Sequence, residues 1–178
     1  MSSHDRAVFL DRDGTLIEHV PYLSRPEEIR LLEGTVPALR LLSREGYRLF
    51  VVSNQSGLAR GYFTKEDLAE VEAALDAVFT SCGIRIESMR YCPHHPKDEC
   101  PCRKPAPGLI LDLAAQYGID LQRSWMVGDQ QSDVGAGKRA GCRAILVGPD
   151  LRIAPEGQPD FVSPDILGAA GLIVSHYT

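Results

Sequence analysis

The chain has 178 residues, enough for one domain with a sizeable core but too few for two full domains. Apolar residues make up 44% and charged residues 24%, as is ordinary for a globular protein, and the formal net charge of −5 argues against a general nucleic-acid or membrane-surface binder. The sequence has no apolar run long enough to span a bilayer, and its first residues lack the apolar core of a signal peptide. We therefore expect one cytoplasmic domain over residues 1–178, acting as a monomer without nucleic-acid or membrane partners.

The first predicted element is a short buried strand, residues 8–10, that ends in two acids. In an extended backbone, residues two apart point the same way, so Asp11 and Asp13 can both serve one site. Open α/β sheets bind ligands beyond the carboxyl ends of their strands, where one carboxylate can act as a nucleophile and its neighbour as acid and base. A plain strand followed by an Asp-Gly turn fits the same letters, and the motif alone leaves both interpretations open.

An irregular segment with two prolines follows from Ile17 to Glu33, and we expect a loop or small flap beside the first strand. A helix is predicted over Thr35–Glu45 from its apolar spacing, and Gly46 is a suitable stop. The near-continuous apolar run Tyr47–Val52 predicts a second buried strand, as is typical of parallel sheets.

Polar and small residues follow this strand, from Ser53 to Gly57. The Ser53 hydroxyl and the exposed backbone amides could hold the oxygens of a phosphoryl group, and Arg60 could be a second anion contact. Taken alone, the segment is more simply explained as a polar turn.

The next helix begins after Thr64, with an acid three residues on as in a capping box. Its apolar residues are predicted to form one buried face: Leu68, Val71, Leu75, Val78 and Phe79. Gly83 ends this helix, and a third strand is predicted over Ile84–Tyr91.

Three of the five cysteines lie within eleven residues directly after that strand, as C-x-H and C-x-C pairs. The predicted metal ligands are Cys92, His94, Cys100 and Cys102. Three thiolates and one imidazole suit tetrahedral Zn²⁺, and four protein ligands are typical of a closed, structural site. His95 competes with His94, but His94 repeats the one-residue spacing of the second pair. Free thiols or a disulfide are the alternatives, the latter unexpected in the cytoplasm.

Two cations, Arg103 and Lys104, follow the last cysteine of the cluster. Lysine suits a phosphate as a point charge and arginine as a fork, although charged pairs on loops are usually just solvated. A helix running from Pro107 to Gly118 and a fourth strand over Trp125–Val127 are predicted next.

Two more acids, Asp129 and Asp133, follow the fourth strand. They can anchor Mg²⁺, which takes a few carboxylates together with water and substrate oxygens. The alternative is a helix N-terminus with acids that the macrodipole favours.

The remaining elements are a fifth strand, a Gly/Pro loop, a short edge strand and a closing helix, over residues 144–147, 148–159, 161–162 and 164–174. The alternation of strands and helices predicts a Rossmann-like doubly wound parallel sheet. Four polar sets then converge on one crevice at the carboxyl ends of the strands.

The D-x-D-G-T motif at Asp11, the S-N pair at Ser53, Lys104 and the G-D-x-x-x-D motif at Gly128 together resemble the haloacid dehalogenase-like superfamily of phosphotransferases. The resemblance covers essentially the whole chain and implies that fold without a large cap domain, since no gap between elements could hold one. Superfamily members that act as dehalogenases lack the second acid, so Asp13 points to phosphate chemistry.

More narrowly, the cysteine-histidine loop and residues 54–61 resemble the heptose-1,7-bisphosphate 7-phosphatases. Histidinol-phosphate phosphatases share the zinc loop but differ from residues 56–61 here. The resemblance implies Mg²⁺-dependent removal of the C7 phosphate of D-glycero-D-manno-heptose 1,7-bisphosphate through an aspartyl-phosphate, in heptose supply for cell-surface polysaccharides. Histidinol phosphate or another small sugar phosphate is the alternative substrate.

The resemblance also implies residue roles. Asp11 is the nucleophile and Asp13 the general acid and base. Mg²⁺ is held by Asp11, the Asp13 backbone carbonyl and Asp129, with Asp133 in support.

The phosphoryl group and the substrate have their own implied contacts. Ser53 and Lys104 hold the transferring phosphoryl group. The substrate-side candidates are Asn54, Gln55, Arg60 and Arg103.

Two functions of other classes compete. A zinc-stabilised binding module without catalysis leaves both pairs of acids unused. A phosphomutase uses the same acids but needs a closed site that keeps water from the aspartyl-phosphate, which a short capless chain suits poorly.

Overall fold

Within residues 5–149 and 157–176, which the computed structural model describes, six strands form one parallel sheet. The strands are β1 (Ala7–Leu10), β2 (Arg48–Asn54), β3 (Ile86–Cys92), β4 (Trp125–Gly128), β5 (Arg143–Val147) and β6 (Phe161–Ser163). Their spatial order is β3-β2-β1-β4-β5-β6, so the chain moves outward from β1 in one direction and then in the other. In such a sheet the ligand crevice opens where the order reverses, between the carboxyl ends of β1 and β4.

Five helices of the described residues cover the two faces of the sheet: α1 (Thr35–Arg44), α2 (Lys65–Ser81), α3 (Gly108–Tyr117), α4 (Gln131–Ala140) and α5 (Ile166–Ser175). Alternate strand residues point to opposite faces, which divides the core in two. Val8 and Leu10 pack towards α1, α2 and α5, whereas Ala7 and Phe9 pack towards α3 and α4. Because both faces are covered, the four inner strands, β1, β2, β4 and β5, read as near-continuous apolar runs.

The predicted order of elements, the doubly wound sheet and the edge position of the last strand are confirmed. Two strand boundaries were wrong in a way that matters. Ser53 and Asn54 are the last residues of β2, not part of a following turn, because they continue the ladder opposite β3. The third strand begins at Ile86, because the Ile84 amide still bonds to the Phe79 carbonyl at the end of α2.

The start of α2 is confirmed as a capping box, with the Thr64 hydroxyl accepting from the Asp67 amide and the Asp67 carboxylate accepting from the Thr64 amide. The predicted core position of Val78 was wrong. That side chain is 36% exposed, because it lies at the flank of the stripe that Leu68, Leu75 and Phe79 define.

The predicted flap between Ile17 and Glu33 is confirmed as mostly irregular chain, with one short 3-10 turn over Pro26–Glu28. Part of the predicted loop over 148–159, residues 150–156, and the residues before Asp5 lie outside the described residues. No helix among those described is long and apolar enough to cross a membrane.

Candidate active site

The predicted polar sets meet in one crevice of about 170 Å³ at the carboxyl ends of β1, β2 and β4. Its lining includes seven residues singled out from the sequence: Asp11, Asp13, Ser53, Asn54, Lys104, Asp129 and Asp133. The rest of the lining is His19, Gln130 and Ser132. The sheet therefore brings together side chains that lie more than 120 positions apart in the chain.

Lys104 is the buried centre of this crevice. Its Nζ lies 2.5 Å from Asp11 Oδ1 and 2.6 Å from Asp133 Oδ1, and it donates to the Val52 carbonyl at 2.8 Å. These partners use the three donors of the ammonium. Burial alone would lower the pKa of Lys104, but the two carboxylates outweigh it and raise that pKa above its usual value.

The crevice holds more negative than positive charge. Burial raises the pKa of Asp11 to about 6, against the opposing effect of Lys104, and burial also raises the pKa values of Asp129 and Asp133. Carboxylate oxygens of these three acids lie within 4.8 Å of one another. Such a group is suited to a further cation.

Asp129 shows where a cation fits. Its Oδ1 is buried without a hydrogen-bond partner among the residues that the structure describes, while Gln130 Nε2 donates to its Oδ2 at 2.7 Å. A buried carboxylate oxygen is costly unless it is paired, and a divalent ion is the partner that this donor set suits. Gly14 permits the arrangement, since its φ is +84° and an added Cβ would lie 2.5 Å from Asp129 Oδ2.

Asp133 is held from two sides. Its Oδ1 pairs with Lys104, and its Oδ2 accepts from the Gln130 amide at 3.0 Å, which caps the start of α4. Gly128 makes room for it, because an added Cβ would collide with the Asp133 carboxylate. Both oxygens are thus engaged by protein groups, in keeping with a supporting role.

Asp13 is fixed by an arginine that the sequence argument missed. Arg12 donates through Nε and Nη2 to the two oxygens of Asp13, both at 3.1 Å, and Gln55 Nε2 donates to Asp13 Oδ2 at 2.9 Å. Gln55 also donates to Ser53 Oγ at 2.7 Å. The only sequence signal for Arg12 was its place between the two acids.

Asn54 holds the loop that carries Lys104. Its Nδ2 donates to the Lys104 carbonyl at 3.1 Å, and its Oδ1 accepts from the Lys104 amide at 3.0 Å. The side-chain amide is therefore used to clamp backbone, although Asn54 still lines the crevice.

The cysteine-histidine loop closes on itself. Sulfur and nitrogen atoms of Cys92, His94, Cys100 and Cys102 all lie within 4.8 Å of one another. Sulfur separations of 3.4 and 3.5 Å exclude a disulfide and approach the edge of about 3.8 Å in a Zn²⁺ tetrahedron. His95 is used otherwise, because its Nδ1 accepts from the Lys97 amide at 3.2 Å.

The pKa values of the thiols in this cluster are shifted in different directions. Burial raises the pKa of Cys92 to about 12. Burial acts in the same direction on Cys100, but hydrogen bonds from Cys92 and Cys102 outweigh it and lower the pKa of Cys100 to about 7. A thiolate is the form that a metal binds.

The structure does not bring the two predicted arginines into the crevice. Arg60 is exposed on the loop after β2. Arg103 is half-buried, and its buried Nη1 has no hydrogen-bond partner within residues 5–149 and 157–176. Neither lines the crevice or the groove of about 270 Å³ that adjoins it. That groove shares three residues with the crevice, Asp13, His19 and Asn54, and His19 had no signal in the sequence beyond its place in the flap.

Comparisons with known proteins agree with this geometry. Residues 101–169 match the family model Hydrolase_like, described as "HAD-hyrolase-like". A D-glycero-beta-D-manno-heptose-1,7-bisphosphate 7-phosphatase of Pasteurella multocida is 36% identical over 178 residues, covering 94% of this chain and 96% of the relative. One of Rhodopseudomonas palustris is 40% identical over 142 residues, covering 76% and 79%.

A solved structure is also similar. The D,D-heptose 1,7-bisphosphate phosphatase of B. bronchiseptica, complexed with magnesium and phosphate, superposes with a TM-score of 0.84 at 31% identity, covering 96% of this chain and 99% of that one. Together the fold and the paired acids define a phosphatase of the haloacid dehalogenase-like class. Within that class, the chain belongs to the family of D-glycero-beta-D-manno-heptose-1,7-bisphosphate 7-phosphatases.

The burial of Lys104 yields a prediction about stability. Lys104→Met removes the ammonium but keeps the side-chain length, which leaves Asp11 and Asp133 buried without their cation. We expect the free energy of unfolding to fall by about 3–5 kcal/mol, as measured by urea unfolding at neutral pH without divalent cations. The loss should shrink towards acid pH, because burial raises the pKa values of both acids and favours their protonation in the folded state.

Lys138→Met is the matched control. Lys138 pairs with Asp160 at 2.8 Å, but its side chain is 40% exposed. A surface pair of this kind contributes at most about 1 kcal/mol. Equal losses in the two variants would contradict the assignment of Lys104 as a buried electrostatic centre.

Proposed function

We propose that this enzyme hydrolyses the C7 phosphate of D-glycero-beta-D-manno-heptose 1,7-bisphosphate by way of an aspartyl-phosphate. The observation that carries the proposal is the placement of Asp11 at the end of β1, paired with Lys104 and next to Asp13 and Asp129. The names of two relatives support the assignment of the substrate, because these proteins match most of this chain at 36–40% identity.

Asp11 is the proposed nucleophile. Lys104 holds its Oδ1, which leaves the second carboxylate oxygen to attack phosphorus in line with the ester oxygen. The bond from phosphorus to the sugar oxygen breaks as the acyl-phosphate forms. The Ser53 hydroxyl would hold the transferring phosphoryl group by a hydrogen bond, and Lys104 would hold it by positive charge alone, since its three donors already bond to protein atoms. Such transfer needs mainly positioning and charge stabilisation.

Asp13 is the proposed general acid and base. It gives a proton to the departing sugar oxygen and later takes one from the water that cleaves the acyl-phosphate. The pair of bonds from Arg12 fixes the position of both carboxylate oxygens of Asp13. Gln55 bonds to both the Asp13 carboxylate and the Ser53 hydroxyl, so these two groups are fixed in position relative to each other.

Two metal ions are part of the proposal. Asp11, the Asp13 carbonyl and Asp129 would hold Mg²⁺, which when bound supplies positive charge to the phosphoryl oxygens. The unpartnered Oδ1 of Asp129 supports this assignment. The cysteine-histidine cluster would hold one structural Zn²⁺, which orders the loop leading to Lys104.

We also propose that the enzyme works in the cytoplasm as a monomer, without nucleic-acid or membrane partners. The net charge of −5 and the free thiols support this assignment.

A panel of substrates tests the function. We expect kcat/KM to be highest for the beta-heptose 1,7-bisphosphate and lower by roughly tenfold or more for histidinol phosphate. Histidinol phosphate lacks the second phosphate, and the loss of one charge-assisted contact to that group has an effect of this size. Chelation of divalent cations should abolish phosphate release. Faster turnover of histidinol phosphate would transfer the assignment to that substrate and leave the chemistry intact.

Asp11→Asn tests the nucleophile. The variant keeps the size of the side chain but loses the attacking oxygen anion, so we expect phosphate release to fall by several orders of magnitude. Asp112→Asn is the control, because Asp112 is exposed on α3. Circular dichroism should show both variants folded, and turnover of Asp11→Asn near the wild-type rate would refute the mechanism.

Elemental analysis tests the second metal. We expect about one zinc per chain in the purified wild-type protein, from the count of four ligands. Cys100→Ser should lose most of this zinc, whereas Cys82→Ser should keep it because Cys82 lies outside the cluster. A wild-type enzyme that is active with its zinc fully absent would refute the structural zinc.

A further inference from the structure

The loop that carries Lys104, residues 101–107, is held by two neighbouring elements. From the end of β2, Asn54 bonds to both the amide and the carbonyl of Lys104, at 3.0 and 3.1 Å. The second neighbour is α4, whose Asp133 pairs with the Lys104 ammonium at 2.6 Å. The place of this ammonium therefore depends on the spacing between the loop and α4 as well as on β2.

Arg139, near the end of α4, bonds to the same loop. Its Nη1 donates to the carbonyl of Pro105 at 2.8 Å, one residue beyond Lys104. The side chain is exposed, yet its guanidinium is turned onto the loop backbone. The next residue back along the helix, Lys138, instead pairs with Asp160. The bond from Arg139 ties the loop to the helix that also carries Asp133.

Gly135 lets the loop and the helix come close together. It lies four residues before Arg139 and so on the same face of α4. A Cβ added at Gly135 would lie 2.8 Å from the Pro105 Cβ, closer than real Cβ atoms come to a neighbour. Its φ is not positive, so the contact and not the backbone conformation calls for glycine here. Two residues one turn apart thus meet the loop at Pro105.

We propose that Arg139, with Gly135 leaving the space, is a positioning residue for the transfer of the phosphoryl group. It holds the loop against α4 and thereby fixes the ammonium of Lys104. It acts through Lys104 and touches neither the substrate nor the reacting atoms. The assignment rests on the proposed function, since Lys104 serves the same transfer.

The physical reason is that one rigid helix meets Lys104 at two points. Asp133 meets its ammonium, and Arg139 meets the backbone beside it. If the second contact is lost, the loop can move away from α4 while Asp133 stays in place. The ammonium is then no longer fixed relative to the nucleophile Asp11, and a displacement of about 1 Å in a catalytic site can lower a rate about a hundredfold.

Kinetics of Arg139→Ala test the proposal, with the heptose bisphosphate and p-nitrophenyl phosphate as substrates at saturating Mg²⁺. We expect kcat to fall roughly tenfold on both, with little change in KM, because Lys104 acts on the phosphoryl group that the two substrates share. Arg139→Lys keeps a cationic donor and should recover part of the loss. Lys138→Ala is the matched control and should keep the wild-type kcat. An unchanged kcat in Arg139→Ala, or a change confined to KM, would overturn the proposal.

Gly135→Ala disturbs the same contact without removing a bond. Alanine favours a helix more than glycine does, so a loss of activity cannot be ascribed to a weaker α4. We expect kcat to fall because the added methyl group pushes Pro105 away. Gly171→Ala on α5 is the control, since an added Cβ there meets no atom within 4 Å. A wild-type kcat in Gly135→Ala would overturn the part assigned to Gly135.

A double-mutant cycle separates positioning from general support of the fold. Arg139→Ala is introduced into the wild type and into Lys104→Met, with folding checked by circular dichroism. If Arg139 acts through Lys104, its removal lowers kcat only where Lys104 is present. Losses that multiply in the double variant would overturn the proposal. If Lys104→Met does not fold, recovery by Arg139→Lys takes the place of the cycle, and no recovery would overturn the proposal.

Failure of the proposed function can be told apart from failure of this inference. If the wild-type enzyme does not hydrolyse the heptose bisphosphate, the proposed substrate is wrong. The ratio of variant to wild-type kcat is then measured on the phosphate ester that the wild type hydrolyses fastest. A wild type that hydrolyses the bisphosphate, together with an equally fast Arg139→Ala, overturns this inference alone.

Discussion

The ammonium of Lys104, buried between Asp11 and Asp133, is the interaction on which the rest of the site depends. Three stretches far apart in the chain must meet within hydrogen-bonding distance, because a buried charge that lacks its partner costs several kcal/mol. The surroundings of Asp11 also shift its pKa. Burial raises this pKa and Lys104 lowers it, and the net result is a pKa of about 6. The carboxylate can therefore ionise near neutral pH while it remains shielded from bulk water.

The loop that delivers Lys104 has little apolar core and is stabilised in other ways. Asn54 clamps its backbone from the end of β2, and the cysteine-histidine cluster closes it on the other side. Glycine at positions 14 and 128 lets the two acids after β4 approach closely, where a Cβ atom would collide with them. The sheet forms the crevice, and these local contacts fix the positions of the side chains in it.

The sequence was sufficient for what depends on pattern and spacing. Apolar periodicity predicted the doubly wound sheet, and the acids at strand ends predicted the crevice. It was insufficient for what depends on packing between distant segments of the chain. Arg12 could not be distinguished from an exposed cation, and His19 could not be distinguished from an ordinary loop residue. The positions of Arg60 and Arg103 outside the crevice could not be predicted either, because loop order does not determine where a long side chain points. Val78 was misplaced because periodicity alone does not show how wide a buried stripe is.

The account makes Asp11 the residue that becomes phosphorylated, and one measurement tests this most directly. Enzyme that is turning over the heptose bisphosphate is quenched in acid and reduced with borohydride, which converts an aspartyl-phosphate into homoserine. Peptide mass spectrometry then locates the reduced residue. The account predicts homoserine at position 11 alone, with none when substrate is omitted. Homoserine at another aspartate, or its absence under conditions where an authentic aspartyl-phosphate protein is reduced, would contradict it.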